Sequence, residues 1–280
     1  MATALHLPTK SSPPDHPTYR LTAAKRKTLE LLAEYFCLRV FDTAKLLRDH
    51  EPDENDLRTA RRTLQLLWKE GFLNRLPYIE LHQERGSVSH VYGLSDRGIK
   101  SFDSLYAAYA KTFDDHSART LDHELEISYF HIALNRFCDK HNLQLHWQQS
   151  DLKTATIHPD AYFSIGKEGK HHNFFLEIER SKISNYRDGE ASIMRKLGKY
   201  FALFDTAACE KDWGFKQFRV IIVQRTDERR QNLCNALQEN YKHRMFWLTT
   251  ETLYNQDIGA ETFLTPKDYQ SNSYGFLTIQ

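Results

Sequence analysis

The run FRVIIVQR at residues 218–225 constrains this chain more tightly than any other segment. It is almost continuously apolar, where a strand with one wet face would alternate. Such a run reads as the buried central strand of a sheet. Its flanks supply helices. Residues 188–205 place Ile193, Leu197, Phe201 and Phe204 at helical spacing, and residues 227–241 read as another helix. Upstream, residues 121–141 form an amphipathic helix with Ile127, Phe130, Leu134 and Phe137 on its buried stripe. Strand-like pieces follow at 143–151, 160–166, 173–180 and 244–250. The order is helix, three strands, helix, strand, helix, strand. That predicts an α/β sandwich around a central mixed sheet over 121–263, with a tail at 264–280 that has no readable pattern.

Two of those strands carry acids where apolar residues are expected. Asp160 opens the run DAYFSIG, and Glu177 and Glu179 sit inside NFFLEIER, across a turn rich in Gly, Lys and His. With period-two alternation, Phe174, Leu176 and Ile178 face one way, into the core. Phe175, Glu177 and Glu179 face the other, the two acids roughly 7 Å apart. Asp160 can reach the same patch. Converging carboxylates repel and raise one another's pKa, a penalty that a divalent cation removes. Such an ion polarises a phosphoryl oxygen and helps generate hydroxide in phosphodiester hydrolysis. The bland alternative is a solvated strand face, with Arg180 and Lys182 as partners.

The first third of the chain has a different rhythm. After a proline-rich lead at 1–20 come three helical segments and two strand-like pieces, spanning 21–105. Thr22 caps the first helix, whose apolar face is Leu29, Leu32 and Phe36. Asp42 opens a short second helix burying Ala44, Leu46 and Leu47. The third places Leu57, Ala60, Leu64 and Leu67 on one side and stops at Gly71. Ser95 caps a fourth. Three helices and a hairpin are the order of a winged helix-turn-helix, whose third helix enters the DNA major groove. Opposite the apolar stripe of that helix lie Arg58, Arg61, Arg62, Gln65 and Lys69, suited to base edges and phosphates. Arg85 at the hairpin tip and Lys25, Arg26 and Lys27 on the first helix could add phosphate contacts. Glu51, Asp53, Glu54 and Asp56 beside this face weaken the electrostatic case unless they serve the helix N-terminus. Residues 106–120 read as a helical connector.

Composition excludes several classes. A net charge of +1 means that any nucleic-acid surface must be local. The four cysteines lack metal-finger spacing and read as reduced thiols of a cytoplasmic chain. No segment is apolar for the length of a membrane span, and no Gly-rich phosphate loop is present.

The pattern His-Pro-Asp at 158–160, a hairpin, then Glu177-Ile178-Glu179 after a leading helix resembles the PD-(D/E)XK nuclease superfamily over roughly 121–250. The resemblance implies that Asp160 and Glu177 bind Mg²⁺ or Mn²⁺, with Glu124 of the preceding helix joining them. It also implies a lysine two positions after Glu177, where this chain has Glu179. Lys196 and Lys199 on the following helix are the candidates for a relocated lysine, since Lys182 has the wrong strand parity. Otherwise the fold is kept for binding alone. The whole chain, through LDHEL, HPDAYF, FFLEIERSK and KLGKYFALF, is similar to the replication-relaxation family. That likeness implies DNA binding in the replication or transfer of plasmids and other mobile elements.

Three functions follow as expectations. The first is a double-stranded-DNA-binding regulator or accessory protein whose nuclease-like domain is non-catalytic, serving as a DNA-holding or homodimer platform. The second is a Mg²⁺-dependent endonuclease using Asp160, Glu177, Glu179 and Lys196 or Lys199. The third is a protein–protein adaptor.

Overall fold

A computed structural model describes residues 21–48, 50–78, 89–102, 112–114, 120–149, 157–167, 169–180, 193–206, 209–267 and 273–276. The expected lead at 1–20, Arg85, Lys182 and most of the expected connector and tail lie outside them. The chain divides into two compact units, 1–128 and 129–280. The division falls inside a helix, where sequence pattern placed it at the helix start.

In the first unit, α1 (Ala23–Tyr35) begins at Thr22, whose side chain accepts the Lys25 N–H. It buries Leu29, Leu32 and Tyr35. Phe36, expected on that stripe, instead ends the helix with φ of 62°. The chain then enters β1 (Cys37–Arg39), a strand that no periodicity announced. In α2 (Val40–Arg48) the buried residues are Thr43 and Ala44, while Leu46 and Leu47 are only half-buried. α3 (Glu54–Lys69) buries Ala60, Leu64 and Leu67 and is followed by Gly71 at φ of 79°, a left-handed position that glycine occupies without strain. β2 (Leu73–Tyr78) and β3 (Ser89–Leu94) pair antiparallel, and β1 joins the far side of β3, giving the order β1-β3-β2. Ser95 caps α4 (Asp96–Lys100), as expected. Gly93 is required by packing, since a Cβ there would lie 2.4 Å from the Phe113 side chain. Phe113 falls in the segment read as a connector, yet it is fully buried in this unit.

α5 (Leu121–His141) crosses from the first unit into the second. There β4 (Gln144–Gln148), β5 (Ala161–Lys167) and β6 (Lys170–Glu179) form an antiparallel meander. α6 (Ile193–Asp205) and α7 (Cys209–Trp213) lead to β7 (Arg219–Gln224), and α8 (Asp227–Asn240) leads to β8 (Phe246–Thr250). β6, β7 and β8 are parallel, and parallel neighbours need such crossovers. After β8 come α9 (Glu251–Asp257), β9 (Phe263–Leu264) and β10 (Ser273–Tyr274), the last of them in the tail that showed no pattern. The result is a seven-stranded mixed sheet, β10-β9-β8-β7-β6-β5-β4.

Both faces of this sheet are covered. Phe175, Ile222 and Leu248 pack with Leu197 and Tyr200 of α6 and Leu233 and Leu237 of α8. On the other face the Phe163 and Phe174 rings stack at 4.9 Å, beside Phe130 of α5 and Phe276. The expected alternation along β6 is therefore right in parity, and the alternative of a solvated strand face is overturned. The acid-bearing face is buried, not open. Among the described residues no helix is long and apolar enough to cross a membrane.

Candidate functional site

Asp160 stands just before β5, where its N–H donates to the Leu176 carbonyl at 3.1 Å. Its Oδ2 accepts the Ile178 N–H at 2.7 Å, so the carboxylate closes the ladder where the β5–β6 backbone pairing ends. That hydrogen bond fixes Asp160 beside Glu177. Glu177 is 2% exposed, and both of its oxygens are engaged. Oε2 accepts from the Lys196 ammonium and Oε1 from the Tyr200 hydroxyl, at 2.5 Å. Lys196 and Tyr200 lie one turn apart on α6 and so share a face.

The electrostatics follow from this placement. Burial, and then the Asp160 charge, push the Glu177 carboxyl up to about 8, against the pull of Lys196 and Tyr200. For Lys196 burial works downward, but Glu177, Asp160 and Glu179 together outweigh it and raise the ammonium's pKa. The two shifts favour different states of the pair, a charged lysine and a protonated glutamic acid. The lysine's state is the firmer, because three carboxyl groups act on it and its side chain is one-third exposed. The Tyr200 phenol is held well above its ordinary range, first by burial and then by Glu177. It is a hydrogen-bond donor to the carboxyl, not a nucleophile.

The expected trio of carboxylates surrounds a lysine, with Glu177 its direct partner and Asp160 and Glu179 acting on it through their charge. Among the described residues no group of three or more His, Cys, Asp and Glu is arranged to hold a metal ion. Glu124 belongs to the first unit, where its charge acts on the buried Cys37 thiol, already raised by burial. Glu179 is half-buried and contributes its charge to Lys196. Of the two lysine candidates Lys196 reaches Glu177, while Lys199 is exposed to solvent. Tyr200 was missed. Its only sequence signal was the four-residue step from Lys196.

In the first unit Arg58, Arg61, Arg62, Gln65 and Lys69 are all exposed on α3, opposite its buried stripe. The neighbouring acids are largely engaged elsewhere. Asp53 is the N-cap, accepting the Asn55 and Asp56 N–H groups at 2.8 Å, and Asp56 completes a capping box while pairing with Arg48. Glu51 pairs with Lys45. Arg26 and Lys27 are exposed, but Lys25 is bound to Glu70 at 2.5 and 2.7 Å. Lys25 therefore does not present a free ammonium to a phosphate.

A family model described as replication-relaxation matches residues 29–217. The chain belongs to the replication-relaxation family. The match takes in α3, Asp160, Glu177, Lys196 and Tyr200, and it ends before β7. No curated protein matches this replication-relaxation chain. Among solved structures it is similar to the restriction endonuclease FokI, at 12% identity and a TM-score of 0.31, over 88% of this chain and 42% of that one.

Proposed function

We propose that this replication-relaxation protein binds double-stranded DNA through its first unit and hydrolyses a phosphodiester in its second. The meeting of Lys196 with Glu177 beside Asp160 carries the reading. The lysine missing from the strand position is supplied by the next helix, as a relocated lysine would be. This favours cleavage over the non-catalytic platform that the Glu179 substitution first suggested. A purely structural role gives no reason to gather Asp160, Glu177 and Glu179 around one ammonium, since burying charges is costly unless they are well paired.

A divalent cation fits the donor set. Asp160 and Glu177 would hold it, because Mg²⁺ and Mn²⁺ favour one or two carboxylates plus water. When bound, the ion would supply Lewis-acid polarisation of the phosphoryl oxygen. Lys196 would steady the charge that develops on the phosphate, and Tyr200 would hold Glu177 in one orientation.

The first unit supports DNA contact by its order of elements, which is that of a winged helix-turn-helix, and by the exposed basic face of α3. Regulation of mobile-element replication or transfer is the setting that this combination suits.

Cleavage is tested by incubating the full chain with supercoiled plasmid and Mn²⁺. Nicking by the wild type and its loss in Asp160→Ala are expected, whereas no nicking by the wild type, or equal nicking by both, overturns the catalytic reading. For the first unit, Arg61→Glu with Arg62→Glu should weaken gel retardation of duplex DNA at low salt and flatten the salt dependence of binding by about two phosphate contacts. Retardation that is unchanged removes α3 from the interface.

A further inference from the structure

The parallel register of β6 and β7 sets Glu177 opposite Ile222 and Glu179 opposite Gln224. Ile222 belongs to the apolar cluster beneath α6, so Gln224, two residues on, faces the same side of the sheet as Glu177 and Glu179. Gln224 is 1% exposed, and its Nε2 is closed off from solvent with no hydrogen-bond acceptor among the described residues. Unmet donors are rare in protein interiors because they cost stability, and each one calls for a cause. This one stands where three parallel strands end side by side at Glu179, Gln224 and Thr250. Open α/β sheets take their ligands outside the carboxyl ends of such strands. The Thr250 hydroxyl is already engaged, accepting the Leu253 N–H at the start of α9.

We propose that Gln224 is a substrate-binding residue of this site, its amide N–H donating to a non-bridging oxygen of a DNA phosphodiester. The proposal rests on the reading of the second unit as phosphodiester-cleaving. A phosphate entering here meets the charges of Asp160 and Glu179 and needs donors to offset them. A second lysine or arginine would fold onto the carboxyl groups, as Lys196 does onto Glu177. A neutral amide offers an N–H without that competition. Lys196 is the partly open member of the cluster, its side chain one-third exposed.

The test uses the full chain and Gln224→Met, which keeps the volume and removes the amide. The variant should melt no lower than wild type, because an unmet donor has gone, while Mn²⁺-dependent nicking falls about a hundred-fold. In isotope-labelled wild type, the Gln224 side-chain amide signal, assigned through its own backbone, should move downfield on adding a short DNA duplex with Ca²⁺. Nicking unchanged in Gln224→Met, or an amide signal that stays put at saturating duplex, overturns the proposal while leaving the cleavage reading intact. A wild type that fails to nick but whose amide signal moves removes the cleavage reading and keeps the phosphate contact. A variant that fails to fold leaves the decision to the wild-type signal.

Discussion

The two units use charge in opposite ways. On α3 the basic side chains stand in solvent, and the nearby acids cap the helix or pair at the surface. In the second unit one lysine and two carboxyl groups meet against the apolar underside of α6, and Glu177 is almost wholly enclosed. Solvent screens the first arrangement, so it is inexpensive to fold and easy to alter. Little screens the second, so each member depends on the others. A charged helix face can therefore serve binding without much effect on stability, whereas the enclosed cluster ties stability and chemistry together.

The largest expected effect comes from Lys196→Met. Removing one partner of a buried pair costs about 3–5 kcal/mol, and about 2–3 kcal/mol is expected here, because the lysine is one-third exposed and Glu177 can take up a proton. Urea unfolding of this variant is to be set beside that of Arg61→Ala with Arg62→Ala, where a change within about 0.5 kcal/mol is expected. If the surface pair costs as much as the buried lysine, the contrast between the units is gone.

The pH dependence sharpens the same contrast. Glu177, raised to about 8 from 4.5, keeps its proton in the folded chain over a range where an unfolded glutamate has lost it. The native state then binds more protons between those values, so stability falls as pH rises from about 4.5 through about 8. Melting temperatures in EDTA should decline across that window, and Glu177→Gln should flatten the decline. A wild-type profile that Glu177→Gln leaves unchanged across that window would mean that Lys196 holds Glu177 ionised, and that the pair outweighs burial.

How much of this was legible in the sequence depends on how locally each feature is determined. The apolar run of β7 and the stripe of α5 announced themselves, since periodicity is a local property. The meeting of Asp160 and Glu177 was readable because β5 and β6 are hairpin neighbours. The enclosure of Glu177 was not, because its cover comes from α6 and depends on that helix's rotation. The same rotation decided between Lys196 and Lys199, and it brought Tyr200 onto Oε1. Strands β1, β9 and β10 have three residues or fewer, too short for any alternation to register. Gln224 closes a run that any reading treats as core, and only the register against Glu179 gives it a place near the site.

The smallest effect is a difference between two hydroxyls, one in each unit. Ser95 donates to the Gly71 carbonyl at 2.6 Å and accepts the Gly98 N–H at 3.1 Å, joining the exit of α3 to the start of α4. Both partners are neutral backbone groups. Tyr200 donates instead to a carboxyl group enclosed by protein. Ser95→Ala should cost about 1 kcal/mol, the usual loss at a helix cap. Tyr200→Phe should cost about 1.5–3 kcal/mol, the range for hydrogen bonds to charged groups, if Glu177 carries charge in the folded chain. Measured by urea unfolding at pH well above 8, the tyrosine loss should exceed the serine loss. At pH below 5, where Glu177 is neutral, the two should converge. A gap between the variants that ignores pH would show that the Tyr200 hydroxyl answers to shape and not to charge, and the enclosed cluster would then behave no differently from the neutral cap in the first unit.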